Sequence, residues 1–285
     1  MVFLFLTESY AQKDYRFKNY TINNGLSQSS ATTIIQDDLN ALWVGTQDGL
    51  NRYDGRVFEI FTSDDTEGLE SEYILCSHKD KKGNLWFGTS KGLTKYNFST
   101  ERFKTYTAKR GAPIRIEDIT EDDTGSLWVA TTGFGVFKLE GNSGTLKSPL
   151  FLVPSKKTTN IEFVKKGLFV ISTEDKGVFL CDTKNNKVTV IEVKQKKGLP
   201  LVVNKLIPGG KNVILLATNS GVFETNYHTQ KSKLLFAGPD QQNVSDAYFE
   251  KGVGWLVCTK NNGLFIINEK GVAQHSTEDV FQKAS

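Results

Sequence analysis

Three cysteines, three histidines and six arginines are the residues from which this 285-residue chain could assemble a reactive site. Cys76, Cys181 and Cys258 stand far apart with no Cys-x-x-Cys spacing, which gives neither a disulfide framework nor a zinc site. Cys181 and Cys258 fall in apolar, strand-like runs, where a thiol is expected to be a small buried hydrophobe. His78, His228 and His275 are equally isolated, so no metal is expected. All six arginines (16, 52, 56, 102, 110 and 115) precede residue 116, too one-sided to converge from all parts of a chain. No Gly-x-Ser-x-Gly, His-Glu-x-x-His or P-loop pattern occurs. The chemistry left is hydrogen bonding and stacking by short turns, and the candidate contact residues are Gln47, Asp48, Ser90, Lys91, Phe134, Asp175, Asn219, Asn261 and Asn262. Their amides, hydroxyls and carboxylates suit a small polar ligand or sugar hydroxyls. The same residue types also favour tight turns for backbone reasons alone.

What brings such turns together is a repeat. "LWVGTQDGLNRYDG" (42–55) returns as "LWFGTSKGLTKYN" (85–97) and "LWVATTGFGVFKL" (127–139), then in weaker form near 168, 214 and 255. Its glycine recurs at Gly49, Gly92, Gly135, Gly177, Gly221 and Gly263, at intervals of 43, 43, 42, 44 and 42 residues. A period in this range marks a repeat architecture. In the first unit, 31–37, 42–46, 49–54 and 57–62 read as four short strands, A to D, rich in aromatic and branched residues. "DDLNA", "DKKGN" and "DDTGS" supply A–B hairpin turns, and "TQDG", "TSKG" and "TNSG" supply B–C turns. Four-stranded units repeated every 43 or so residues specify an all-β propeller, with six full blades visible.

In a propeller the D–A and B–C loops share one face, and the candidate residues all fall in B–C turns. Trp43, Trp86, Trp128 and Trp255 fall in strand B and are expected to pack between neighbouring blades rather than to stack on a ligand. Counted from the strand's threonine, Trp255 and Phe169 are displaced by one position from the first three tryptophans. Residues 15–21 resemble the D strand at 102–107, and 272–276 give the last unit its own D strand. The strand count therefore leaves one strand without a blade, as in a seven-bladed ring that is incomplete at the C-terminal end.

A formal net charge of +3, with acidic and basic residues interspersed, gives no nucleic-acid track. The apolar run Val2 to Leu6, followed by Ser9-Tyr10-Ala11, reads over 1–12 as the remnant of a secretory signal ahead of a propeller domain at 13–285. Nothing else approaches the ~18 apolar residues of a membrane span.

The residues Gly25, Leu26, Ser27, Ile34, Asp37, Leu42, Trp43, Gly45, Thr46, Gly49, Leu50 and Tyr53 carry a resemblance to the two-component regulator propeller repeat. Units one and two match it well, unit three moderately, and units four to six keep the frame without the Asp and Trp pattern. The resemblance implies the extracytoplasmic sensor region of a membrane-bound histidine kinase or hybrid two-component system, as in Bacteroidota-type bacteria. It implies downstream domains of the same polypeptide, a homodimer, a periplasmic location tethered to the inner membrane, a small-molecule or glycan stimulus, and no cofactor or catalytic residue. A free-standing secreted propeller acting as a binding or scaffold module is the alternative, and a glycan-active propeller enzyme is the third reading. "DDTGSLW" (122–128) also resembles the Asp-box of sialidase-type propellers, in which the box is a structural turn.

Overall fold

The computed structural model describes residues 18–275, apart from 109–110, 141–144, 149–152, 195–199, 238–242 and 268–272. The expected signal remnant at 1–12 lies outside the described residues, as do parts of four D–A loops. Among the described residues twenty-four strands form six antiparallel sheets, each a four-stranded meander with consecutive strands paired. Blade 1 consists of Thr33–Gln36, Leu42–Gly45, Leu50–Tyr53 and Phe58–Phe61, each inside the segment expected from the sequence. Blades 2 to 6 occupy 74–106, 116–147, 158–191, 203–236 and 244–275. The all-β propeller is thus borne out, and the described residues contain no α-helix.

Burial between blades holds the ring together. Five apolar cores join successive pairs: Trp43, Leu50, Ile74 and Phe87 between blades 1 and 2, and Trp86, Ile116 and Val129 between blades 2 and 3. Trp128 and Phe169 join blades 3 and 4, Val170 and Leu216 blades 4 and 5, and Leu215 and Val257 blades 5 and 6. The tryptophans therefore do pack between blades. Their one-residue displacement has a simple cause: neighbouring strand positions point to opposite faces. Trp43, Trp86 and Trp128 face the next blade, whereas Phe169 and Trp255 face the preceding one. Phe169 meets Trp128 with ring centroids 4.6 Å apart, so one aromatic from each sheet fills the same interface. Close approach also explains the small residues that follow. A Cβ at Gly88 would sit 2.8 Å from Ile116 of the next blade, and one at Gly45 would sit 2.6 Å from Ile74.

Around the axis, each A strand is stitched to the next by side chains. Thr32 donates to the Ile74 carbonyl, Asn160 to that of Asn204 and Asn204 to that of Val244, while Asp118 accepts from the Ile161 N–H.

Among the described residues no such core joins blade 6 to blade 1. Ile34 of blade 1 is 62% exposed, although its register equivalents Ile119, Ile161 and Leu206 are buried. Tyr248 of blade 6 is 63% exposed. Two expectations need correction. Cys258 lies in strand Gly254–Thr259 as expected but is exposed, because it points to this uncovered face, whereas Cys181 is buried. Of the segment expected to form a lone D strand, 18–21 is not in a strand and the rest lies outside the described residues.

Candidate functional site

The strongest motif in the sequence builds scaffold. Asp37, Asp80 and Asp122 end their A strands, and each does two jobs. One carboxylate oxygen accepts backbone N–H groups across the A–B turn: Leu39 and Ala41, Lys82 and Asn84, Thr124 and Ser126. The other accepts the indole N–H of Trp43, Trp86 or Trp128 at 2.8–2.9 Å. A basic residue paired across on strand C, Arg52, Lys95 or Lys138, lies over the same indole at 5.0–5.8 Å. Burial pushes the Asp80 and Asp122 carboxyls up, but hydrogen bonds from tryptophan, asparagine or threonine side chains and the turn N–H groups outweigh it. Both end below the ordinary carboxylate range. These groups are saturated by their own fold and carry no reaction.

The B–C turns and the segments approaching each blade do meet on one face. Gly49 N–H bonds the Glu72 carbonyl, Ser90 N–H that of Tyr73, Gly133 N–H that of Lys156 and Lys260 N–H that of Asn243. Of the nine candidate contact residues, three are bound into this fabric. Ser90 shares a hydrogen bond with Ser71, and Asp175 accepts one from Ser155 at 2.5 Å. Asn219 clamps the approaching segment through the Pro200 carbonyl and the Val202 N–H. Gln47, Asp48, Lys91, Phe134, Asn261 and Asn262 present exposed side chains.

Two clefts open on this face. One, of about 400 Å³, is walled by Phe134, Val136, Val153, Pro154 and Ser155, with Phe134 56% exposed. The other, about 510 Å³ and shallow, sets Lys91 against Asp64, Asp65, Glu67 and Glu70. Next to it, the Ser63 hydroxyl donates to Glu72 and holds that carboxyl below its usual range.

The axis holds a charge cluster that reading the turns does not reveal. Thr33, Cys76, Asp118, Asn160, Lys205 and Asp246 occupy one register position on the six A strands, each opposite a small strand-B residue or cysteine. Lys205 of blade 5 reaches Asp118 of blade 3 at 3.2 Å, across the strand that carries Asn160. The Asp118 charge raises Lys205 above the ordinary lysine range. Glu162, two residues beyond Asn160, has its carboxyl pushed up to about 8, first by burial and then by the charge of Asp118. Burial also raises Asp246. Lys205 keeps 40% of its side-chain surface open, so this part of the axis is accessible. Lys260, beside Asn261 in the B–C turn of blade 6, bonds Asn204 at 3.2 Å and links loop face to axis. Aligning the six units on their glycines would have found the position, which lies 16 or 17 residues before each. No group of three or more potential metal ligands occurs among the described residues.

A ring of four-stranded meanders, with Asp–Trp anchored turns on one face and the B–C turns and D–A loops on the other, is a repeat β-propeller. Its repeat is similar to that of the two-component regulator propellers. The family model described as "Two component regulator propeller" matches residues 68–91. A 59-residue stretch, 21% of this chain, is 46% identical to histidine kinase P4 of Formosa agariphila and amounts to 4% of that protein. The extracellular domain of BT3049, assigned to a hybrid two component system of B. thetaiotaomicron, superposes with a TM-score of 0.78 at 20% identity. It covers 92% of this chain, which spans only 36% of it. The extracellular domain of BT4673 from the same organism gives 0.76 at 19%, over 92% of this chain and 39% of its own. Streptogramin B lyase shares the fold at 0.68 and 12% identity, over 87% of this chain and 83% of the lyase. At these identities the likeness to solved structures is one of fold. Among the described residues no helix is long and apolar enough to cross a membrane.

Proposed function

We propose that this propeller is the extracytoplasmic signal-input domain of a membrane-bound two-component sensor histidine kinase, and that it is not itself a catalyst. The observation that carries the reading is the 46% identity to a histidine kinase over 59 residues, and the match of residues 68–91 to the regulator propeller repeat supports it. On this reading the stimulus, a small molecule or glycan, is met on the D–A and B–C face. Lys91, Phe134 and Asn261 offer it a charge, an aromatic platform and an amide. Gln47, Asp48 and Asn262 border the same face, and Ser90, Asp175 and Asn219 hold its loops in shape. Downstream domains of the same polypeptide, an inner-membrane tether and a homodimer follow from the sensor role. Ligand energy reaches a kinase only by favouring one arrangement of that dimer.

A catalytic reading has the lyase fold behind it, but a fold hosts many functions and the site must decide. Here the carboxylates of Asp37, Asp80 and Asp122 are tied to their own turns and indoles. A thermal-shift screen of the purified chain against a panel of oligosaccharides and small polar metabolites tests the binding reading. A ligand that raises the melting temperature of the chain but not of a Lys91→Glu, Phe134→Ala, Asn261→Asp triple variant is the expected result. Stabilisation that survives in the triple variant would remove the contact role from this face.

A further inference from the structure

At the register position that the six A strands share around the axis, Lys205 is the single cation, and it stands near two carboxyls that are unequally supplied with donors. Asp118 of blade 3 has a donor besides Lys205: one oxygen accepts the Ile161 N–H at 3.1 Å, and the other takes the Lys205 ammonium at 3.2 Å. Glu162 of blade 4, the residue after Ile161, has neither a hydrogen bond nor an ion pair among the described residues. A carboxylate withdrawn from water without a partner is costly, so Glu162 holds its proton. Lys205 could serve either group. It spends one of its three N–H donors on Asp118. Its stem is flexible, and 40% of its side-chain surface is open, which leaves it room to turn.

The surroundings leave the choice to these three side chains. The charges that act on Glu162 are those of Asp118 and Lys205, and Val170, opposite it on strand B, is apolar. Thr120 of blade 3 is neutral and accepts the Phe163 N–H. Asp246 of blade 6 and Cys76 of blade 2 act on Lys205 instead, and burial keeps the Cys76 thiol neutral. Burial also lowers His78 of blade 2, which is therefore neutral above pH 6.5.

We propose that Lys205 is a proton-operated clamp across the axis. While Glu162 keeps its proton, the ammonium is committed to Asp118 and ties blade 5 to blade 3. When Glu162 releases the proton to solvent, the ammonium turns to it, because that carboxylate has no other partner whereas Asp118 keeps the Ile161 N–H. The tie then runs from blade 5 to blade 4, and the link to blade 3 is given up. Lys205 follows Asn204, which donates to the Val244 carbonyl and accepts from Lys260, so the change falls beside the contact between axis and loop face. The clamp responds to alkalinisation and does not depend on the sensor role.

Both partners can be followed by NMR in the purified chain, with ¹³C in the glutamate carboxyls and the lysine Cε groups, from about pH 5 to about pH 9. Their signals are those lost in Glu162→Gln and Lys205→Arg. The Glu162 carboxyl is expected to titrate with a midpoint near 8, and the Lys205 signal to shift with the same midpoint. In Glu162→Gln the Lys205 signal should stay flat over that range. A Lys205 signal that is flat through the Glu162 step, or that moves equally in Glu162→Gln, would overturn the clamp. So would a Glu162 midpoint at the ordinary value of 4.5. Asp118→Asn separates the clamp from burial, since its amide oxygen still accepts the Ile161 N–H but the competing charge is gone. Lys205 is then free to serve Glu162, whose midpoint should fall by about one pH unit or more. An unchanged midpoint would show that burial alone acts on Glu162 and would also contradict the proposal.

Discussion

Asp122 shows how much of a blade one side chain can fix. It closes the A–B turn through the Thr124 and Ser126 N–H groups, bonds the Trp128 indole and lies 3.7 Å from Lys138. Asp122→Ala would leave a buried indole N–H and two turn N–H groups without their acceptor. A buried loss such as the indole costs about 1–3 kcal/mol, and the two part-buried turn N–H groups, which water can reach, add less, so chemical denaturation should show a loss of about 2–4 kcal/mol. Asp122→Asn should recover part of it, because the amide oxygen still serves the turn. A loss within experimental error for Asp122→Ala would refute the anchoring role. The Asp-to-Trp spacing was legible in the sequence as a repeat signal, and so was its structural character. The basic residue over the indole was not, because Arg52, Lys95 and Lys138 look like ordinary exposed strand residues until the pairing register sets them opposite Trp43, Trp86 and Trp128. Blades 4 to 6 hold Leu180, Glu224 and Ile266 at comparable strand-C positions and lack the anchoring aspartate, so the three-part device is absent as a unit.

At the scale of the elements, the strands were legible because Trp, Val, Ile and Phe alternate with turn residues at a fixed period, and each sheet is a local meander. What the strings of letters hide is which face each strand residue takes once sheets pack on sheets. Cys258 illustrates this: its apolar neighbours are those of a buried residue, yet it is exposed, because among the described residues no sheet packs on its face of blade 6. The A strands hold a second case. Glu162 reads as a polar residue in an alternating strand, but the inner position places it among Asp118, Lys205 and burial. Its folded carboxyl titrates near 8 against 4.5 for the ordinary group, so between those values the folded form keeps a proton that the unfolded form has released. Stability from this group is therefore present below pH 4.5 and declines as pH rises towards 8. His78, lowered by burial, works in the opposite sense as pH falls through its ordinary range near 6.5. Comparing Glu162→Gln with the wild type isolates the carboxyl. The wild-type melting temperature should fall relative to that of the variant between pH 5 and pH 8, by a few degrees. Parallel pH profiles would show that Glu162 keeps an ordinary acidity.

For the whole molecule, the division of labour is between faces. One carries saturated Asp–Trp turns, and the other carries exposed B–C side chains, two clefts and the route through Lys260 to the charged axis. The fold and the identity of the loop face followed from the repeat. Distinguishing exposed candidates such as Lys91 and Phe134 from loop-fixing residues such as Asn219 required the geometry of the approaching segments, which vary too much in sequence to be aligned. The central claim is that this face receives a signal for a kinase. The most direct test is histidine phosphorylation of the complete natural polypeptide in native membranes, measured with and without the stimulating growth medium. Wild type and the Lys91→Glu, Phe134→Ala, Asn261→Asp variant should have equal basal phosphorylation, and only the wild type should respond. A variant that responds as fully as wild type, or a polypeptide with no phosphorylated histidine, would contradict the account.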